Sequence, residues 1–255
     1  MVAVERLRQR GAVKVPEITA VFWVVKVLTT GMGEAASDWL GALDVVLAAV
    51  LGLACAIGLV VALVVQLRHR RYVPVAYWAV VSLVAVFGTV AADGVHVGLG
   101  IPYAGSTAFW AVAVALVLWR WHRREGTLDV HSITTRRREL YYWATVLATF
   151  ALGTAAGDLT AAELHLGYLV SGFLFAAAIV VPLVGWRLGL DPVVAFWAAY
   201  VLTRPLGASF ADWAGKPSGL AIGDGTVTLV LVVAIAGLVG YLAVREARPG
   251  PLTGT

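Results

Sequence analysis

The chain has 255 residues, of which 60% are hydrophobic and 13% charged, with a formal net charge of +4. Runs of about 20 apolar residues, the length that crosses a hydrocarbon core of ~30 Å, recur throughout; they exclude a soluble globular fold and define an all-α integral membrane protein, one membrane domain over residues 1–255. The single cysteine excludes an intramolecular disulfide and a thiolate metal cluster, and the positive charge is accounted for by membrane topology, so no nucleic-acid partner is implied.

The first predicted span, at about 18–38, contains "FWVVKVLTTGMGEAASD", which carries Lys26, Glu34 and Asp38. Basic residues before it lead into this charged segment and not into a clean apolar core, so no removed signal peptide is expected. The second span, at about 44–67, is uniformly apolar, with Asp44 placed to cap it and Cys55 read as a small buried hydrophobe. Spans at 74–93 and 105–121 precede the longest polar stretch, the basic loop 120–138. Four more follow at 139–158, 165–187, 192–213 and 221–244, the seventh carrying Arg204 just before Pro205. Of the 19 Lys and Arg residues, 16 fall on one side of these eight spans, Lys216 falls on the other, and Lys26 and Arg204 lie inside. The positive-inside rule then makes both termini cytoplasmic.

The odd-numbered spans repeat one pattern: "FWVVKVLTTGMGEAASDW", "YWAVVSLVAVFGTVAADG", "YWATVLATFALGTAAGDL" and "FWAAYVLTRPLGASFADW". Each has an aromatic before Trp23, Trp78, Trp143 or Trp197. Ten residues on comes Gly33, Gly88, Gly153 or Gly207, and fifteen residues on comes Asp38, Asp93, Asp158 or Asp212. The units, at about 18–67, 74–121, 139–187 and 192–244, are parallel two-helix repeats, pseudo-symmetric about an axis along the membrane normal. These residues, and the opening "KVPEITAVFWVVKVLTTGMGEAASDWL", resemble a family of bacterial membrane proteins built from four tandem repeats of unknown function, each with two transmembrane regions and a tryptophan. The resemblance covers nearly the whole chain. It implies this architecture and a multi-pass place in the bacterial inner membrane, and brings no activity or substrate.

At ~100° per residue from the tryptophan, the aspartate falls at about +60°, Glu34 at +20°, Arg204 at −20° and Lys26 at −60°, so the ionisable groups share one face. Eleven residues after the tryptophan stand Glu34, Thr89 and Thr154, with Ala208 the exception. The glycines flank this stripe, where they permit close helix approach. The even-numbered spans lack charges and suit an outer, lipid-facing ring around four polar-striped helices. For the tryptophans two readings stand together, an interfacial belt and an inner packing layer.

Charges inside a bilayer cost at least ~2.5–3.5 kcal/mol each on insertion scales, so they face a bundle interior and mark a path, or pair to fix packing. Lys26, Glu34, Asp38, Thr89, Asp93, Thr154, Asp158, Arg204 and Asp212 form the candidate substrate path, and an Arg204 contact with Glu34 or Asp38 is expected. The aspartates read either as a ring at the outer mouth or as solvated helix ends. A carboxylate at a helix C-terminus calls for a compensating cation. Glu34, Asp38, Asp93, His96, Asp158, His165 and Asp212 are the candidate ligands for a divalent metal, although loop histidines are more often satisfied locally. The expected function is a membrane transporter or exporter of a cation, a divalent metal with proton coupling, or of a small charged solute. The alternative is a scaffold or sensor that binds lipid or a protein partner. An enzyme is not expected, because no H-E-x-x-H, G-x-S-x-G or P-loop occurs. Apart from the bilayer and the ion or solute carried, no partner or resident cofactor is implied.

Overall fold

A computed structural model describes residues 13–247. Eight long helices follow one another: α1 (Ala20–Gly41), α2 (Val45–Arg68), α3 (Pro74–Asp93), α4 (Tyr103–Glu125), α5 (Arg136–Asp158), α6 (Gly167–Arg187), α7 (Pro192–Gly215) and α8 (Asp224–Ala247). Each agrees with a predicted span to within a few residues, because start and stop signals bound the apolar runs. Asp44 caps α2 by accepting from Val46 N at 2.9 Å, and Asp191 caps α7 by accepting from Val193 N at 2.9 Å, followed by Pro192 in the first turn. Gly126, at φ 72°, ends α4 in the left-handed conformation that glycine adopts without strain. Short π-helical turns extend α3 over Gly94–Gly98 and α5 over Leu159–Glu163, directly after Asp93 and Asp158.

Seven of these helices are long and apolar enough to cross a membrane. The exception is α1, which holds Lys26, Glu34 and Asp38; its middle is instead buried by the other helices. Helix α2 is the converse case, with side chains such as Val45, Leu53 and Val60 exposed all along it. Cys55 is half-buried on this outer helix, where the sequence suggested a buried position; an apolar environment can be lipid as well as protein. Arg6, Arg8, Arg10 and Arg248, which entered the count of basic residues, lie outside the described residues.

The inner helices α1, α3, α5 and α7 close a ring in chain order, α7 packing back on α1. Outside it, α2 leans mainly on α3, α4 on α5, α6 on α7 and α8 on α1. The outer helix of each repeat is thus buried chiefly against the inner helix of the following repeat.

The repeat glycines make the ring possible. A Cβ on Gly33 would lie 2.5 Å from that of Ala85, one on Gly88 would strike Phe150, one on Gly153 would strike Arg204, and one on Gly207 would strike Thr30. Thr30, Ala85, Phe150 and Arg204 each stand seven residues after their own tryptophan, so the same seat recurs at all four junctions. Close approach of backbones through missing side chains is how helices pack tightly in lipid, where no hydrophobic effect drives them together.

Candidate functional site

The inner face of the ring is filled from one end to the other. At the end bearing the basic loop, Val13 and Lys14 join the bundle through backbone hydrogen bonds, Tyr72 N to Val13 O at 2.9 Å and Lys14 N to Ile133 O at 3.0 Å. The Lys14 ammonium pairs with Glu139, and Gln66 Nε2 donates to the second oxygen of Glu139 at 2.9 Å; all three side chains are buried. Sequence reasoning missed this cluster. Its one signal is Glu139, an acid directly after a run of three arginines.

Above it lies an aromatic layer in which Phe22, Tyr77, Trp78, Tyr142, Trp143, Trp197 and Tyr200 are buried. Rings from successive inner helices meet in tilted pairs: Phe22 on Trp78 at 5.8 Å, Tyr77 on Trp143 at 5.5 Å, Tyr142 on Trp197 at 6.2 Å and Trp23 on Phe196 at 5.7 Å. The Tyr77 and Tyr142 hydroxyls hydrogen-bond each other. Trp78 donates its indole N–H to the Tyr72 hydroxyl and Trp197 to the Leu128 carbonyl, at 3.2 and 3.0 Å. Three of the four repeat tryptophans therefore belong to an inner packing layer, and Trp23 is half-buried at its edge.

Lys26 comes next, 1% exposed, its ammonium 4.2 Å from the Phe150 ring centroid and 4.3 Å from that of Tyr200. Among the described residues Lys26 Nζ has no hydrogen-bond acceptor, and the faces of the two rings supply its favourable contacts.

The centre is built around Arg204, which is 0% exposed. Its Nη1 donates to the Thr30 carbonyl at 2.9 Å; its Nη2 donates to Glu34 Oε2 at 2.8 Å, to Thr154 Oγ1 at 2.7 Å, and to Thr89 Oγ1. The hydroxyls of Thr89 and Thr154 also reach Glu34 Oε2, at 3.3 and 3.2 Å. Glu34, Thr89 and Thr154 hold the same repeat position on α1, α3 and α5, and the fourth copy, Ala208, leaves room on α7. The expected Arg204–Glu34 pair is present, and the threonine stripe of the sequence is its hydrogen-bonding shell. Such a node joins all four inner helices.

Beyond the node, at the end of the bundle away from the basic loop, lies an acidic cluster that forms its mouth. The carboxylates of Glu34, Asp38 and Asp212 have oxygens within 4.8 Å of one another, the one group among the described residues that could hold a metal ion. Asp93 and Asp158, half-buried, lie outside this triad but each faces Glu34, Asp38 and Lys216 within Coulombic reach. Of the four aspartates expected to form a ring, Asp38 and Asp212 meet, while Asp93 and Asp158 stand apart from the triad but feel the same charges. The cation that a carboxylate at a helix C-terminus calls for is Lys216, whose Nζ lies 3.0 Å from Asp38 Oδ2 and 3.2 Å from Asp212 Oδ1. Lys216 follows the last turn of α7. Burial pushes its ammonium toward neutrality, but Asp212 and Asp38 outweigh that effect and hold its pKa above the usual lysine range.

The two histidines do not join this group. His96 Nδ1 lies 2.7 Å from the Ile101 carbonyl and its ring stacks on Tyr103, while exposed His165 bonds the Glu163 carbonyl at 2.7 Å from a left-handed backbone, φ 58°. Each is satisfied by its own loop, so the metal set proposed from sequence contracts to Glu34, Asp38 and Asp212.

A family model described as a Repeat of Unknown Function (DUF347) matches residues 21–72, 76–127, 141–188 and 195–248, each match covering one inner and one outer helix, and the chain belongs to that family. No curated protein and no solved structure matches the chain.

Proposed function

We propose that this protein is a carrier of cations in a bacterial inner membrane, and not an enzyme. All eight helices cross the bilayer, both termini are cytoplasmic, and the acidic mouth faces outward. The observation that carries this reading is the stacking of ionisable side chains along the inner faces of the ring. Glu34, Asp38, Asp93, Asp158 and Asp212 outnumber Arg204 and Lys216 in and just below the mouth, so uptake of a cation or of protons relieves their mutual repulsion. The Arg204 node beneath is a closed inner gate. A cation reaching Glu34 competes with the guanidinium for the same carboxylate, which couples occupancy of the mouth to the state of the gate. A divalent metal accepting oxygens from Glu34, Asp38 and Asp212 is one cargo this triad suits, and a monovalent cation held by fewer oxygens is another.

The test is flux in proteoliposomes holding the purified protein. Mn²⁺, Co²⁺, K⁺ and methylammonium are offered in turn, with and without a pH gradient, to wild type and to Asp212→Asn. Flux of at least one cation, lost in the variant, is the expected result. Flux no greater than in protein-free liposomes for every ion and both gradients overturns the carrier and leaves the scaffold or sensor.

A further inference from the structure

Lys216 is held to the mouth by an ordered loop. Leu220 N donates to Trp213 O at 2.7 Å, Ala221 N to Lys216 O at 3.2 Å and Gly223 N to Gly215 O at 3.0 Å, which fixes the backbone from which the lysine reaches back over the end of α7. Its ammonium meets three partners: Asp38, Asp212, and the face of the Tyr168 ring on α6, 4.9 Å from the centroid. Two carboxylates and an aromatic face are the complement of an ammonium group, which takes N–H···O contacts and a cation–π contact together.

The fit is incomplete. Both carboxylate contacts have the distance of an ion pair but not the alignment of a hydrogen bond, so Asp38 Oδ2 and Asp212 Oδ1 remain without a hydrogen-bond donor. Asp212 is only 3% exposed, so its Oδ1 relies on the ion pair with Lys216. An ammonium free of the chain has no stem to fix its approach to the two oxygens, whereas Lys216 arrives on its four-carbon stem. The Lys216 side chain is itself 25% exposed, so the cradle is open to an entrant on that side, and Tyr168 also lines a cleft of about 390 Å³ with Trp213 and Ser218.

We propose that the cradle of Asp38, Asp212 and Tyr168 is a binding site for a small primary ammonium ion, and that Lys216 is a tethered competitor that the incoming ammonium displaces. The proposal rests on the carrier reading and narrows its cargo. A divalent ion is the poorer match, because Glu34 Oε2 is already engaged by Arg204, Thr89 and Thr154 and the Tyr168 face offers a metal no lone pair.

The experiment measures equilibrium binding of radiolabelled methylammonium, and separately of Mn²⁺, to the full-length protein in detergent. Lys216→Gln should bind methylammonium at least about tenfold more tightly than wild type, the factor for a competitor that fills the cradle nine-tenths of the time. Adding Asp212→Asn should remove that gain, and adding Tyr168→Leu should weaken methylammonium while leaving Mn²⁺ unchanged. In wild type, methylammonium should raise the acylation of Lys216 read by mass spectrometry, a measurement that requires no variant to fold. Unchanged methylammonium affinity in folded Lys216→Gln, a gain for Mn²⁺ alone, or Lys216 acylation indifferent to methylammonium overturns the proposal. Methylammonium binding without flux of any cation overturns the carrier and leaves this site; cation flux without methylammonium binding does the reverse.

Discussion

Gly153→Ala should be among the most damaging single-methyl additions in the protein. The new Cβ would stand 2.5 Å from Arg204 Cβ and 2.9 Å from Pro205 Cδ, and closer still to Arg204 Cγ. None of these atoms yields easily. The proline ring is rigid, and the arginine is pinned by Thr30, Glu34 and Thr154 at 2.9, 2.8 and 2.7 Å. Overpacking of this kind costs ~1–3 kcal/mol. If α7 withdraws far enough to part Arg204 from Glu34, the cost approaches the ~3–5 kcal/mol of a buried charge left unpaired. Alanine recovers ~1 kcal/mol of helix propensity, so the net loss expected is up to about 2 kcal/mol from overpacking alone and about 2–4 kcal/mol where the pair parts. Reversible unfolding in detergent measures it, with Gly240→Ala as control, because nothing lies within 4 Å of a Cβ there. The control should be neutral or gain up to ~1 kcal/mol. Equal stability of the two variants would refute the idea that the glycine seats set the ring.

Arg204→Met and Glu34→Gln should each destabilise, and their double-mutant cycle should show a coupling energy above ~1 kcal/mol; additive effects would mean that the pair is incidental. Lys26→Met should leave stability unchanged or raise it, because the ammonium has no anionic partner to lose, while cation flux should fall. Retained flux would assign Lys26 to packing alone. Lys216 gives the pH test: with its folded pKa raised above the unfolded one, its contribution is complete below the ordinary lysine value of ~10.4 and is lost only as pH rises through the folded value. The stability difference between wild type and Lys216→Gln should therefore stay flat from about pH 7 to 10. A decline across that window would contradict the ion pair.

Much of this was legible because lipid imposes a strict code on sequence. Apolar length and caps such as Asp44 and Asp191 fixed the helices, and the helical azimuth placed Glu34, Thr89, Thr154 and Arg204 on one stripe, where they meet. Ring closure was not legible. Nothing in the spacing of Gly153 says that it seats the arginine of the next repeat, since that contact exists only once four helices have chosen neighbours. Lys216 counted in the sequence as one cation on the sparsely basic side, and its distance from Asp38, 178 positions earlier, is set by the return of α7 to α1. His96 and His165 misled for the opposite reason. Their loops turn the rings onto local carbonyls, and loop conformation leaves little trace in composition.

The four copies agree and disagree at different places, and the division is physical. They agree ten and fifteen residues after the tryptophan, where a glycine must admit a neighbouring helix and an aspartate reaches the shared mouth. They disagree three, seven and eleven residues after it, where the side chains are Lys26, Val81, Val146 and Tyr200; Thr30, Ala85, Phe150 and Arg204; and Glu34, Thr89, Thr154 and Ala208. Identical copies at those levels would line the axis with rings of like groups: four arginines, or four glutamates, repelling one another in a medium that screens little. Divergence lets one guanidinium serve one carboxylate and two hydroxyls, and lets one ammonium lie among aromatic faces. Unequal stations at successive levels instead give each depth of the ring its own set of contacts: an ammonium between two aromatic rings at one level, a guanidinium bound to a carboxylate and two hydroxyls at the next.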